Sequence, residues 1–240
     1  LLRPIFIKSI NLRKRIFFWI FTGGFLALNT GCSPKMSMKN EASIFQNKII
    51  PTDILEEAKI ALSFYPELKE TPIEFKFKDN IEKSFMQAQP QISELFYGRK
   101  NRGYFVFLSK KVKIEDKYFS VKEVPKEVLI GWLGHELGHI VDYKERSAFG
   151  LMYFGLRYIT SRSFLKEAEK IADTYAVHHG MGDYILATKN FILNHSHLSE
   201  EYKNRIRNLY LSPDEINVLV NEMEEKGEEK LKEIEKGENS

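Results

Sequence analysis

The chain has 240 residues, 43% of them apolar, with 36 Lys and Arg against 33 Asp and Glu and a formal net charge of +3. That is enough apolar material to fill the core of one large or two small domains. The basic excess is local: Arg3, Lys8, Arg13, Lys14 and Arg15 share residues 1–31 with no acid, and the remaining 31 bases face all 33 acids, a net −2. No basic footprint for nucleic acid remains, so no nucleic-acid partner is expected.

In chain order, a positive segment ends at Arg15, an apolar run spans Ile16 to Leu28, and Asn29-Thr30-Gly31-Cys32 follows. The run is short for a bilayer span and suits the apolar centre of a signal peptide. With the chain's single cysteine placed directly after it, the stretch resembles a bacterial lipoprotein signal. The resemblance implies that residues 1–31 are a signal peptide and that Cys32 is lipidated and becomes the mature N-terminus. It also implies attachment to a membrane of the bacterial cell envelope, on the periplasmic or surface side. A plain membrane anchor or a buried cysteine is the alternative. A lipidated Cys32 leaves no thiol for a disulfide.

Residues 32–50 read as the lipidated cysteine and a polar tether. Pro51-Thr52-Asp53 caps a helix expected over 54–64. Residues 72–78 alternate strictly and predict a half-buried strand, and Gly103–Leu108 predict a second, rich in β-formers. Val112–Ile114 and Tyr118–Val121 suggest a short hairpin. Everything after Pro125, which suits a helix entrance, reads as helical. The run from 221 to 240 is almost all Glu and Lys and reads as a charged, solvated tail.

Within the helix expected over 126–144 lies His135-Glu136-Leu137-Gly138-His139. His135 and His139 fall one turn apart on one face, able to hold a zinc ion, while Glu136 can reach a water at that ion. Asp142 continues the same stripe, while Leu129, Ile130, Leu133, Leu137, Ile140 and Val141 are expected to be buried. Gly134 and Gly138 weaken the helix by about 1 kcal/mol each relative to alanine, which is tolerable where something packs close. A catalytic zinc needs a third protein ligand. Glu169 and Asp173 are one turn apart, so one can bind metal while the other orients a histidine; Glu167 competes.

HExxH followed by Glu169-Lys170-Ile171-Ala172-Asp173 resembles the gluzincin zinc metallopeptidases. Within them it is closest to the HtpX-like and CaaX-prenyl-protease-like group, the likeness resting on two motifs within residues 100–200. The resemblance implies His135, His139 and Glu169 as ligands of one Zn2+, Glu136 as general base, and Asp173 as the partner of His135. It implies a zincin-like α+β domain over 51–220, mostly helical, with a small sheet packed on the HExxH helix. The expected function is a lipid-anchored zinc metalloendopeptidase acting on protein or peptide substrates. A catalytically silent binding lipoprotein of the same fold and a non-peptidase zinc hydrolase are the rivals.

Tyr175, His178 and His179 are candidates to steady the oxyanion; His195 and His197 look like loop residues. Tyr104–Leu108 is the candidate edge strand for pairing extended substrate. The apolar segment 149–159 fits a cleft lining, a membrane-interface segment or core packing.

Overall fold

A computed structural model describes residues 47–79, 81, 84–114, 117–194 and 198–238. Cys32 and residues 1–46 lie outside it. The architecture is α+β, mostly helical, with a four-stranded mixed sheet and a separate two-stranded hairpin.

β1 (Lys48–Ile49) leads to α1 (Leu55–Ser63), which buries Ala58, Ala61 and Leu62. β2 (Ile73–Lys78) is the strand that strict alternation predicts, with Ile73 and Phe75 turned into the core. β3 (Met86–Pro90) and β4 (Tyr104–Ser109) complete a sheet of order β1-β2-β4-β3, parallel except for the β3–β4 pair. β5 (Lys111–Ile114) and β6 (Lys117–Ser120) form the expected hairpin.

Two strands escape the sequence reading. β1 falls within the stretch read as tether; the Lys48 ammonium caps the carbonyls of Leu68, Lys69 and Thr71, which fixes the strand beside β2. β3 has the sequence Met-Gln-Ala-Gln-Pro, poor in β-formers, and its terminal Pro90 is tolerated because the strand lies at an edge. Tyr104–Leu108, expected at the edge, instead sits between β2 and β3, where Tyr104, Val106 and Leu108 are fully buried. That correction has a simple cause: an all-apolar run is stable where both sheet faces are covered.

The helical half follows: α2 (Lys126–Glu145), α3 (Ala148–Thr160), α4 (Arg162–Ala176), α5 (Gly182–Asn194), α6 (Glu200–Leu209) and α7 (Pro213–Glu238). Pro125 stands at the N-cap of α2, as its missing N–H favours. α2 is the central element, buried continuously from Val128 to Tyr143, with α1, β3, α4 and α5 around it. It therefore has no solvated stripe, and Asp142, expected in line with the histidines, is held by both Arg146 nitrogens at 2.9 and 3.0 Å. Gly138 lets α4 approach: a Cβ there would lie 2.5 Å from the Ala172 carbonyl oxygen.

A π-helical stretch, Val177–Met181, joins α4 to α5, and Gly180 supplies the positive φ of 83° at its kink. α7 runs without a break through residue 221, where the charged run begins. Among the described residues no helix is long and apolar enough to cross a membrane.

Candidate metal centre

α2 and α4 bring His135, His139 and Glu169 together. Glu169 Oε2 stands 3.2 Å from His135 Nε2 and 3.6 Å from His139 Nε2. The three offer ligand atoms all within 4.8 Å of one another, and all three residues are buried. This group could hold one metal ion. Among the candidate carboxylates burial decides: Glu169 faces α2, whereas Glu167 is exposed.

Asp173, one turn beyond Glu169 and fully buried, accepts from His135 Nδ1 at 2.8 Å. A carboxylate only accepts, so Nδ1 carries a proton and Nε2 is turned toward Glu169. Asp173 has two further donors: the Lys189 ammonium on α5, at 3.0 and 2.9 Å from its two oxygens, and the Leu211 N–H at 3.1 Å. The Lys189 ammonium also lies 4.2 Å from the centre of the Tyr210 ring, which in turn packs against His135.

The electrostatics follow from enclosure. Burial alone would lower the His135 pKa, but the Asp173 and Glu169 carboxylates outweigh it and raise the imidazole to about 10. Burial likewise pushes Glu169 up, but hydrogen bonds from His135 and His139 win and hold its carboxyl well below the ordinary range. Asp173 is also held low: burial opposes, and Lys189 and His135 prevail. For Glu136 the balance reverses. Burial raises its carboxyl, and the two imidazoles and the Ala88 N–H only partly offset this.

Glu136 is anchored by the edge strand: the Ala88 N–H of β3 donates to its Oε2 at 2.6 Å. This N–H is therefore turned toward α2 rather than toward β4. Tyr158, from the inner face of α3, donates its hydroxyl to the other oxygen of Glu169.

Other candidates go elsewhere. His179 bonds the Tyr175 carbonyl and Glu67 and stacks on Tyr65, and His178 is exposed. The expectation that Tyr175, His178 or His179 serves the site finds no contact among the described residues; His179 is turned to the segment after α1, where Tyr65 and Glu67 hold it. His195 and His197 lie outside the described residues.

The sequence reading missed Tyr158, Lys189, Tyr210 and the Ala88 N–H. Only Lys189 carried a signal. Ile185, Thr188, Lys189 and Ile192 recur at helical core spacing, and all four are buried. A lysine at such a position needs a buried acid as partner. Comparisons with family models, curated proteins and solved structures give no significant match for this chain.

Proposed function

We propose that the protein is a zinc metallopeptidase with zincin-like packing, lipid-anchored in the bacterial cell envelope through Cys32. The observation that carries the reading is Glu136: a buried carboxylate between two candidate ligands, raised by burial and pinned by the edge strand. A site built only to hold metal has no use for such a group beside its ligands, and structural zinc sites close their fourth position with a protein side chain.

The donor set fits zinc. Two atoms bound 2.0–2.1 Å from a tetrahedral zinc lie about 3.3 Å apart, which matches the 3.2 and 3.6 Å separations of Glu169 from the two histidines. When bound, the ion polarises a water and the scissile carbonyl.

The chain supplies the rest. Asp173 fixes the tautomer and ring orientation of His135, so that Nε2 faces the ion. Tyr158 holds the second oxygen of Glu169 and thereby its rotamer. Glu136 accepts a proton from the attacking water and delivers it to the leaving amine. Among the described residues β3 pairs with β4 alone, so its outer edge, where the Ala88 N–H already meets Glu136, can take an extended peptide as an added strand. That role passes to β3 from Tyr104–Leu108, which the sheet order rules out.

Zinc content and casein hydrolysis of the purified chain, wild type against Glu136→Gln, test the reading. Retained zinc with hydrolysis lowered about 10²–10⁴-fold is expected. Wild type lacking stoichiometric zinc sinks it. Palmitate labelling, compared with Cys32→Ala, tests the anchor.

A further inference from the structure

α3 is apolar on two sides. Its inner side buries Leu151 and Phe154 and sends Tyr158 to Glu169. Its outer side, at i, i+3, i+4, i+7 spacing, leaves Phe149 74%, Met152 51%, Tyr153 60% and Leu156 47% exposed. The turn before β4 extends the patch: Phe96 packs edge-on against Phe149 at 6.2 Å, and Phe96 and Tyr97 are themselves about two-thirds exposed. Six large side chains left in water at one place mark an interaction surface rather than stray exposure.

The charge around the patch selects the occupant. Residues 146–166 contain Arg146, Arg157, Arg162 and Lys166 and no Asp or Glu, and residues 95–103 contain Arg99, Lys100 and Arg102 and no acid. Arg146 is neutralised by Asp142 and Arg102 is buried, which leaves Arg157, next to Leu156 on α3, and Arg99 and Lys100, just after Tyr97, exposed beside the patch. In a chain with 33 acids, two acid-free segments meeting at one apolar patch complement a surface that is apolar within and anionic at its rim. A symmetric contact with a second copy would instead set these cations against themselves.

We propose that this face of α3, with the Phe96–Tyr97 turn, docks on an anionic phospholipid bilayer. The aromatic rings would sit at headgroup level and the arginines and lysines would reach the phosphates. Chain length agrees. Either anchor suffices: Cys32 lies 15 residues before Asn47, and in an unprocessed chain the apolar run Ile16–Leu28 ends 19 residues before it, reaches of at most about 50 and 65 Å when fully extended. A single lipid or apolar anchor holds weakly, and a second contact converts it into stable attachment. The docking rests on the exposed face and its charge, not on the metallopeptidase reading. If both hold, the catalytic centre lies one helix thickness from the membrane.

The test uses the full chain with Cys32→Ser and Met152→Cys, labelled with an environment-sensitive fluorophore and mixed with vesicles of phosphatidylglycerol and phosphatidylcholine. A blue shift of emission and loss of iodide quenching are expected on the mixed vesicles, and much less of either on phosphatidylcholine alone. Adding Leu156→Asp should restore quenching while the protein still floats with the vesicles. A label at Glu56→Cys on α1 should stay quenched throughout. A Met152 label that remains quenched on vesicle-bound protein overturns the proposal, as does equal protection at both positions. Protection that grows with protein concentration in the absence of lipid also overturns it and assigns the face to a second copy. Zinc content and hydrolysis do not enter these readouts, so the failure of one reading leaves the other standing.

Discussion

Gly138→Ala offers a severe test of how the centre is assembled. The added methyl would stand 2.5 Å from the Ala172 carbonyl oxygen and 3.3 Å from its carbonyl carbon and Cα, all backbone atoms of α4. Backbone cannot swing aside as a side chain can, so α4 must retreat by about 1 Å to reach ordinary contact. Overpacking of this kind costs roughly 1–3 kcal/mol or more, set against about 1 kcal/mol gained from alanine's helix propensity. Because the clash is with backbone the upper end applies, about 3 less about 1, and a net loss of about 2 kcal/mol corresponds to a drop in Tm of roughly 4–8 °C for a domain of this size. The same retreat moves Glu169 and Asp173 away from the histidines, since both ride on α4 beside Ala172. Displacements near 1 Å are enough to cost about 100-fold in a positioned site. Differential scanning fluorimetry and zinc titration measure both effects. Gly155→Ala is the control, because nothing lies within 4 Å of its added methyl; it should hold or raise Tm by about 2 °C. A Gly138→Ala protein that melts and binds zinc like wild type would refute the close approach of α2 and α4.

Glu169→Ala should abolish stoichiometric zinc, whereas Glu167→Ala should retain it; the reverse pattern in metal analysis would show that the wrong carboxylate was chosen. Asp173→Asn should weaken zinc binding by about 10–100-fold, through loss of the charged acceptor that orients His135, as read by competition with a chromogenic chelator. Lys189→Met strands the fully buried Asp173 carboxylate without its ammonium. Urea unfolding should report a loss of about 3–5 kcal/mol, and a neutral result would mean the pair contributes little.

How legible the molecule was depended on whether one residue's identity carried the information. The motif helix announced itself through Pro125 and the His135–His139 spacing, and β2 through its alternation of Ile, Phe and Lys. β3 did not, because Gln87, Gln89 and Pro90 have no preference for strand; pairing with β4 and the bond from Ala88 to Glu136 make it one. The choice of Glu169 over Glu167 rests on Asp173, one turn beyond Glu169, and the structure agrees with it in burying Glu169 against α2 while leaving Glu167 exposed. Tyr158 lay in a segment so uniformly apolar that no face could be read from it, and both faces proved to be occupied, one by core and one by solvent. Tyr104–Leu108 misled for the opposite reason: strong β-formers reveal a strand, not its place in the sheet.

The bonds that close the candidate metal centre join residues far apart in the chain. His135 meets Glu169 across 34 residues and Asp173 across 38, and Ala88 reaches Glu136 across 48. Such contacts repay their loop-closure entropy only after the intervening elements have docked, so they form late. Before α4 lies against α2, the chain has two histidines on one helix and no third ligand. A polypeptide in that condition, newly made or partly unfolded, would hold a metal ion poorly. The hydrolytic chemistry proposed for the finished protein is thus delayed by the order in which its own backbone closes. Zinc uptake during refolding should accordingly coincide with the last kinetic phase rather than the first.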